Sequence, residues 1–146
     1  MTYRKLALAL LINAVIMYLV MYVMIDKLES FYLNINNVYM TVMMVAPMLI
    51  VMLLLMRSMY PNPRLNTGLI ATAALLFLGC FFLTRQQWPV GDVQFLRSMI
   101  PHHSGAILMC GQAQITDPEI KTLCGQIIES QQSEIDQMRA ILDRLR

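Results

Sequence analysis

The sequence has 146 residues, 58% of them hydrophobic and 14% charged, with a mean hydropathy of +0.56, too apolar for an ordinary soluble domain of this length. It reads as a membrane protein. Its net charge of +2 is small and its basic residues are scattered, so no nucleic-acid partner is expected, and its three cysteines, Cys80, Cys110 and Cys124, form no CxxC pair and no disulfide framework.

Leu6 to Ile25 is an apolar run of 20 residues interrupted only by Asn13, long enough to cross about 30 Å of hydrocarbon. Arg4 and Lys5 precede it, but no small-residue cleavage site follows and more apolar runs come next, so it is expected as an uncleaved first span. Asn13 is expected to tie spans together through an interhelical hydrogen bond. Asp26 to Asn37 is a short polar connection, and Val38 to Met56 a second run of 19 residues containing Pro47. Tyr60-Pro61-Asn62-Pro63 then forms a turn through which a helix cannot continue. The third run, Leu69 to Leu83, reaches spanning length by taking in Asn66-Thr67-Gly68 and Thr84.

Lysine and arginine orient the three spans: Arg4 and Lys5 lie before the first, Lys27 alone between first and second, and Arg57 and Arg64 between second and third. The amino terminus is expected in the cytoplasm of a cell bounded by this membrane, and everything after the third span outside, periplasmic or extracellular, with Trp88 at the interface. The organisation expected is a three-span domain over 1–84, an interfacial linker over 85–91 and an extracytoplasmic helical hairpin over 92–146.

The hairpin carries the chemistry. Asp92 is expected as the N-cap of a helix whose apolar positions recur at helical spacing from Phe95 to Cys110. Pro101 within it leaves the Arg97 carbonyl without its usual partner. The two histidines of the protein, His102 and His103, are adjacent, with Met99 a turn before them and Met109 two turns after. Imidazole and thioether together suit a soft or borderline ion such as copper, whereas Mg²⁺ and Ca²⁺ prefer oxygen. His102 and His103 point about 100° apart on a helix, which favours two sites or one site between helices. Asp117-Pro118-Glu119 starts the second helix. Its seam, Ile120, Cys124, Ile127, Gln131, Glu134, Met138, Ile141 and Leu145, follows a heptad pattern. An antiparallel turn near residue 115 sets His102 level with Glu129, and Arg97 with Glu134.

Phe95, Met99-Ile100-Pro101-His102-His103, Ala106-Ile107 and Met109, followed by Ile127-Ile128, Gln131, Glu134-Ile135 and Met138, resemble the family known as domain of unknown function 305, over about residues 92–142. The resemblance implies an extracytoplasmic all-α domain with ferritin-like bundle packing, some members of which bind copper or silver through histidine and methionine. Carried onto this chain, it implies metal ligands among His102, His103, Met99, Met109 and Met138, with Gln131 and Glu134 holding the rings from outside. It says nothing of Cys110, Cys124 or the spans.

A lone histidine on an amphipathic helix is usually a hydrogen-bonded packing residue, and most of the 14 methionines are ordinary apolar filler in lipid-facing helices. The expected topology nevertheless gathers Met21, Met24, Met40, Met43, Met44 and Cys80 toward the outer leaflet, an accessory metal set to which Cys110 and Cys124 add. Those last two could alternatively form a disulfide across the hairpin. No Glu-x-x-His pair of a di-iron enzyme, no phosphate loop and no Ser/His/Asp constellation occurs, so an enzyme is not expected. Since two helices alone cannot bury both faces, the hairpin is expected to complete a four-helix bundle with another copy. The expected function is a membrane-anchored protein binding Cu(I), Cu(II) or silver for extracytoplasmic sequestration, tolerance or delivery, with a metal-donor or acceptor protein as partner. The alternative is a structural or sensory membrane protein whose hairpin is an oligomerisation module without metal.

Overall fold

A computed structural model describes residues 3–145. The outer limits of the two domains expected at 1–84 and 92–146, Met1, Thr2 and Arg146, lie outside the described residues. The described chain is all-α, with five helices in order: α1 Tyr3–Val20, α2 Ile35–Leu55, α3 Pro63–Gln86, α4 Asp92–Gln112 and α5 Pro118–Arg144. It divides into two compact units. One holds α1 and Asn36–Pro89; the other holds Met21–Ile35 and the chain from Val90 onward.

In the first unit, α1, α2 and α3 are each long and apolar enough to cross a membrane. Their surfaces show why no water-facing side can be assigned. Leu11 on α1 is 63% exposed and Leu75 on α3 is 71% exposed, as expected of helices that are apolar all round and solvated by lipid. Asn62 caps α3, its side chain accepting from the Leu65 N–H at 3.1 Å, with Pro63 in the first turn. The helix therefore starts six residues before the apolar run and gains length from its polar entry. At the same end Tyr3 Oη donates to Asn66 Oδ1 at 2.8 Å and accepts from the Asn62 N–H at 3.2 Å, while Asn66 Nδ2 donates to the Tyr60 carbonyl at 2.8 Å. These polar ties join α1 to the α2–α3 turn above a small core of Leu6, Leu53 and Tyr60. Asn13 does not tie spans together. Its Nδ2 donates to the Ala9 carbonyl of its own helix at 2.9 Å, since a carbonyl four residues back satisfies the amide locally.

The second unit is the antiparallel pair α4 and α5 with a strap, residues 21–35, laid across it. α1 stops at Val20, five residues before the end of its apolar run, because Met21 to Met24 turn into this strap. The strap is held at several points. The Asp26 N–H donates to Ser104 Oγ at 2.7 Å, the Ile35 N–H to Gln94 Oε1 at 3.1 Å, and Arg139 reaches Glu29 at 3.4 Å and Ser30 at 3.3 Å. Buried Tyr22 and Asn34 fix its curvature from within: Tyr22 Oη donates to the Tyr32 carbonyl at 2.8 Å, and Asn34 Nδ2 donates to Tyr22 Oη at 3.2 Å. The strap backbone lies against Gly105, where a Cβ would be in ordinary contact with the Met24 carbonyl oxygen at 3.4 Å.

The core of this unit is Leu96, Ile100, Ile107, Ile135, Met138 and Leu142, with Met99, Ile128 and Ile141 packed against it. The buried stripe of α5 thus runs through 128, 135, 138 and 142. The expected seam shares Met138 and Ile141 with this core but departs from it elsewhere: Ile120 and Leu145 are 48% and 40% exposed, and Glu134 sits at the edge. The helix caps differ in one respect. Asp117 caps α5 as expected, accepting from the N–H groups of Glu119 and Ile120 at 2.9 and 3.0 Å. At α4 the N-cap is Gly91, and Asp92 is the first helical residue, where its charge favours the positive helix end.

Candidate metal centre

Pro101 lies inside α4 without ending it. Two residues on, the His103 ring turns back along the helix and its Nδ1 lies 2.9 Å from the Met99 carbonyl oxygen. A carbonyl oxygen only accepts, so Nδ1 carries a proton. The other ring nitrogen, Nε2, is 2.7 Å from Glu134 Oε2 on α5. Two acceptors cannot share a bond without a proton. Either Nε2 is also protonated and the pair is imidazolium and carboxylate, or the Glu134 carboxyl holds the proton and donates it to Nε2. Ser130 Oγ donates to the second Glu134 oxygen at 3.1 Å. The His103 ring is buried while about half of the Glu134 side chain is exposed, so the outer side of this pair opens to solvent.

His102 is exposed, and among the described residues its ring has no hydrogen-bond partner. The two imidazole centroids are 6.0 Å apart with planes at 64°. Imidazole–metal bonds of about 2.0–2.1 Å set each ring centre about 3 Å from an ion, so this separation is the outer limit for one ion and is met only with the two rings nearly opposite each other across it.

The expected ligands do not all gather at the histidines. Met99 packs beside the core, a helical turn from His103. Met138 is 9% exposed within that core, against Leu96 and Ile100. Gln131 is half-buried on α5, one turn from Glu134. The helix register also differs: Glu134 was expected level with Arg97 but meets His103, six residues farther along α4. Met109 lies elsewhere, lining a cleft near the α4–α5 turn together with Met24, Cys110 and Cys124. The expected accessory set is divided between the units, Met21, Met24, Cys110 and Cys124 in the second and Met40, Met43, Met44 and Cys80 in the first. Cys110 and Cys124 are free thiols. Hydrogen bonding to Cys124 holds the Cys110 thiol above its ordinary titration range, with partial burial and the nearby Cys124 charge adding to the effect. Among the described residues no three His, Cys, Asp and Glu side chains converge on a point; thioether sulfur lies outside that inventory.

The family model described as "Domain of unknown function (DUF305)" matches residues 83–145, from the last turn of α3 to the end of α5. The chain is also similar to an uncharacterized protein, L153, of Acanthamoeba polyphaga mimivirus. The two are 38% identical over 113 residues, which is 76% of this chain and 72% of that protein. No solved structure matches. The chain belongs to the DUF305 family, and the histidines, Glu134 and every residue of the sulfur-lined cleft except Met24 fall within the matched segment.

Proposed function

We propose that the protein is a membrane-anchored, non-enzymatic binder of copper or silver that holds the metal at the outer face of a cytoplasmic membrane for sequestration, tolerance or delivery to an acceptor protein. The observation that carries this reading is the pairing of solvent-exposed His102 with His103, whose ring is fixed by the Met99 carbonyl and by Glu134. The donor set fits the metal in chemistry: two imidazoles at a separation one ion allows, beside a carboxylate that orients one ring. His102 and His103 Nε2 would hold the ion, which supplies only its own coordination preference. The Met99 carbonyl keeps His103 Nδ1 protonated, so Nε2, now held by Glu134, is the nitrogen that would exchange that partner for a metal.

The charge bias of the spans supports a cytoplasmic amino terminus and an outward hairpin in this reading. The exposed Ile120 and Leu123 on α5 support assembly with a second copy into a four-helix bundle. Orientation is checked by a reporter fused to the carboxyl terminus, and activity confined to the cytoplasm would overturn it. Assembly is checked by the mass of the protein in mild detergent, where a monodisperse monomer would count against it.

Metal titration of a His102→Ala/His103→Ala variant that still inserts is expected to show loss of copper and silver affinity on the order of 10–100-fold or more. Affinity unchanged from the parent protein would leave both histidines as packing residues. One observation favours that second reading: both nitrogens of His103 already have partners within the protein. On it, the hairpin is an assembly module and the His103–Glu134 pair a buried polar lock.

A further inference from the structure

Four sulfur-bearing residues line one cleft that sequence spacing alone does not assemble. Met109 and Cys110 come from the last turn of α4, Cys124 from the second turn of α5, and Met24 from the strap, and all four line one cleft. The remaining lining is apolar except for Gln112, with no carboxylate and no imidazole. Cys110 and Cys124 reach this cleft from opposite sides of the α4–α5 turn, both as free thiols. Met109 is 59% and Met24 46% exposed, so their thioethers can turn without unpacking a core, as methionine readily does.

We propose that this cleft is a second metal site, in which Cys110 and Cys124 bind Cu(I) or Ag(I) as thiolates and Met109 or Met24 adds a thioether. The choice of ion follows from the donors. Thiolate and thioether select soft monovalent metals, a cleft without carboxylates excludes Ca²⁺ and Mg²⁺, and a structural zinc site needs four nitrogen or thiolate ligands, of which only two are present. On binding, each thiol releases its proton to solvent, two sulfur–metal bonds form, and no electron is transferred. The site rests on the copper and silver reading for its class of metal but has no ligand in common with the histidine pair, since it takes Met109 to the cleft.

The test uses full-length protein in detergent, reduced, desalted and handled without oxygen, titrated with Ag(I) against a competing chelator. The His102→Ala/His103→Ala protein is expected to keep one tightly bound Ag(I). One equivalent of Ag(I) should slow alkylation of Cys110 and Cys124 in it at least about tenfold, read peptide by peptide so that Cys80 is counted apart. Cys110→Ser/Cys124→Ser should lose that ion, with affinity falling by about 100-fold or more, beyond the loss typical of an outer-shell partner. Met24→Leu/Met109→Leu should weaken it by about tenfold. Equal Ag(I) affinity and stoichiometry in the cysteine variant and the parent would overturn the proposal. So would an alkylation rate that Ag(I) leaves unchanged, a measurement that needs no cysteine substitution. The histidine and cysteine double variants share no residue, so failure of the cleft and failure of the histidine site are read separately.

Discussion

Replacing Ile100 with alanine is expected to destabilise the α4–α5 unit by about 2–5 kcal/mol, the usual cost of emptying a buried aliphatic position. Ile100 has no exposed surface and lies in one cluster with Leu96, Ile135, Met138 and Leu142. It is also three residues before His103, so α5 can close over the gap only by moving the element that carries Glu134. The neighbouring Phe95 supplies the control. It is 50% exposed, and its replacement by alanine should cost much less. Because α1 to α3 are lipid-type helices that need not unfold with the hairpin, the measurement is amide hydrogen exchange of α4 and α5, which reports local opening directly. Protection that is unchanged in the Ile100 variant would show that the hairpin is held by something other than this core.

Glu134→Ala is expected to lower copper and silver affinity by about 10–100-fold on the proposed reading, as removal of a ring-orienting partner does elsewhere. It should also cost about 1–3 kcal/mol, because the buried His103 Nε2 loses its partner. The substitution separates two roles that the geometry combines. If Glu134 merely competes with metal for Nε2, affinity rises on its removal; if it positions the ring, affinity falls. Glu134→Gln sharpens the distinction. Its amide N–H can donate to Nε2 while Nδ1 still donates to the Met99 carbonyl, a pattern that needs no shared proton. The Gln variant should therefore retain stability, with the His103 ¹⁵N spectrum showing one protonated nitrogen. An unaltered spectrum would mean that Nε2 was never protonated in the parent and that Glu134 supplies the proton.

The three apolar helices and the hairpin were legible in the sequence because hydropathy and caps are local signals. Asp117-Pro118 marks the start of α5 to the residue, whereas Asn62-Pro63, which reads as part of a turn, is the cap and first residue of α3. The pairing of a histidine with Glu134 could be approached from the polar interruption of an apolar seam. The residue level could not: the loop between Gln112 and Pro118 is centred on 115 as expected, and the offset arises from how the two helices pack on each other, which no local signal sets. The stripe of α5 departs in part from the expected seam for a similar reason: Ile127 and Ile128, or Ile141 and Leu142, offer two adjacent apolar choices, and only packing against Leu96 and Ile100 decides between them. The strap was not legible at all. Its ties to Ser104, Gln94 and Arg139 join residues 59 to 110 positions apart, and such contacts leave no periodicity. The one local hint was Gly105 beside Ser104 in an otherwise strong helix, a small pair against which the Met24 backbone lies.

That strap sets an order of events during synthesis. Residues 21–35 are made before the surface they pack on, which is encoded after Val90, and lie between two stretches long and apolar enough to cross a bilayer. Glu29 must wait for Arg139, 110 residues later, so the strap is an unpaired loop for most of translation, and closing so long a loop is slow compared with forming α4 and α5 themselves. A fragment beginning at Asp92 could therefore form two helices while leaving Ser104 and Gly105 uncovered and Met24 missing from the sulfur cleft. The smallest piece of this protein able to rebuild the whole unit is two peptides rather than one.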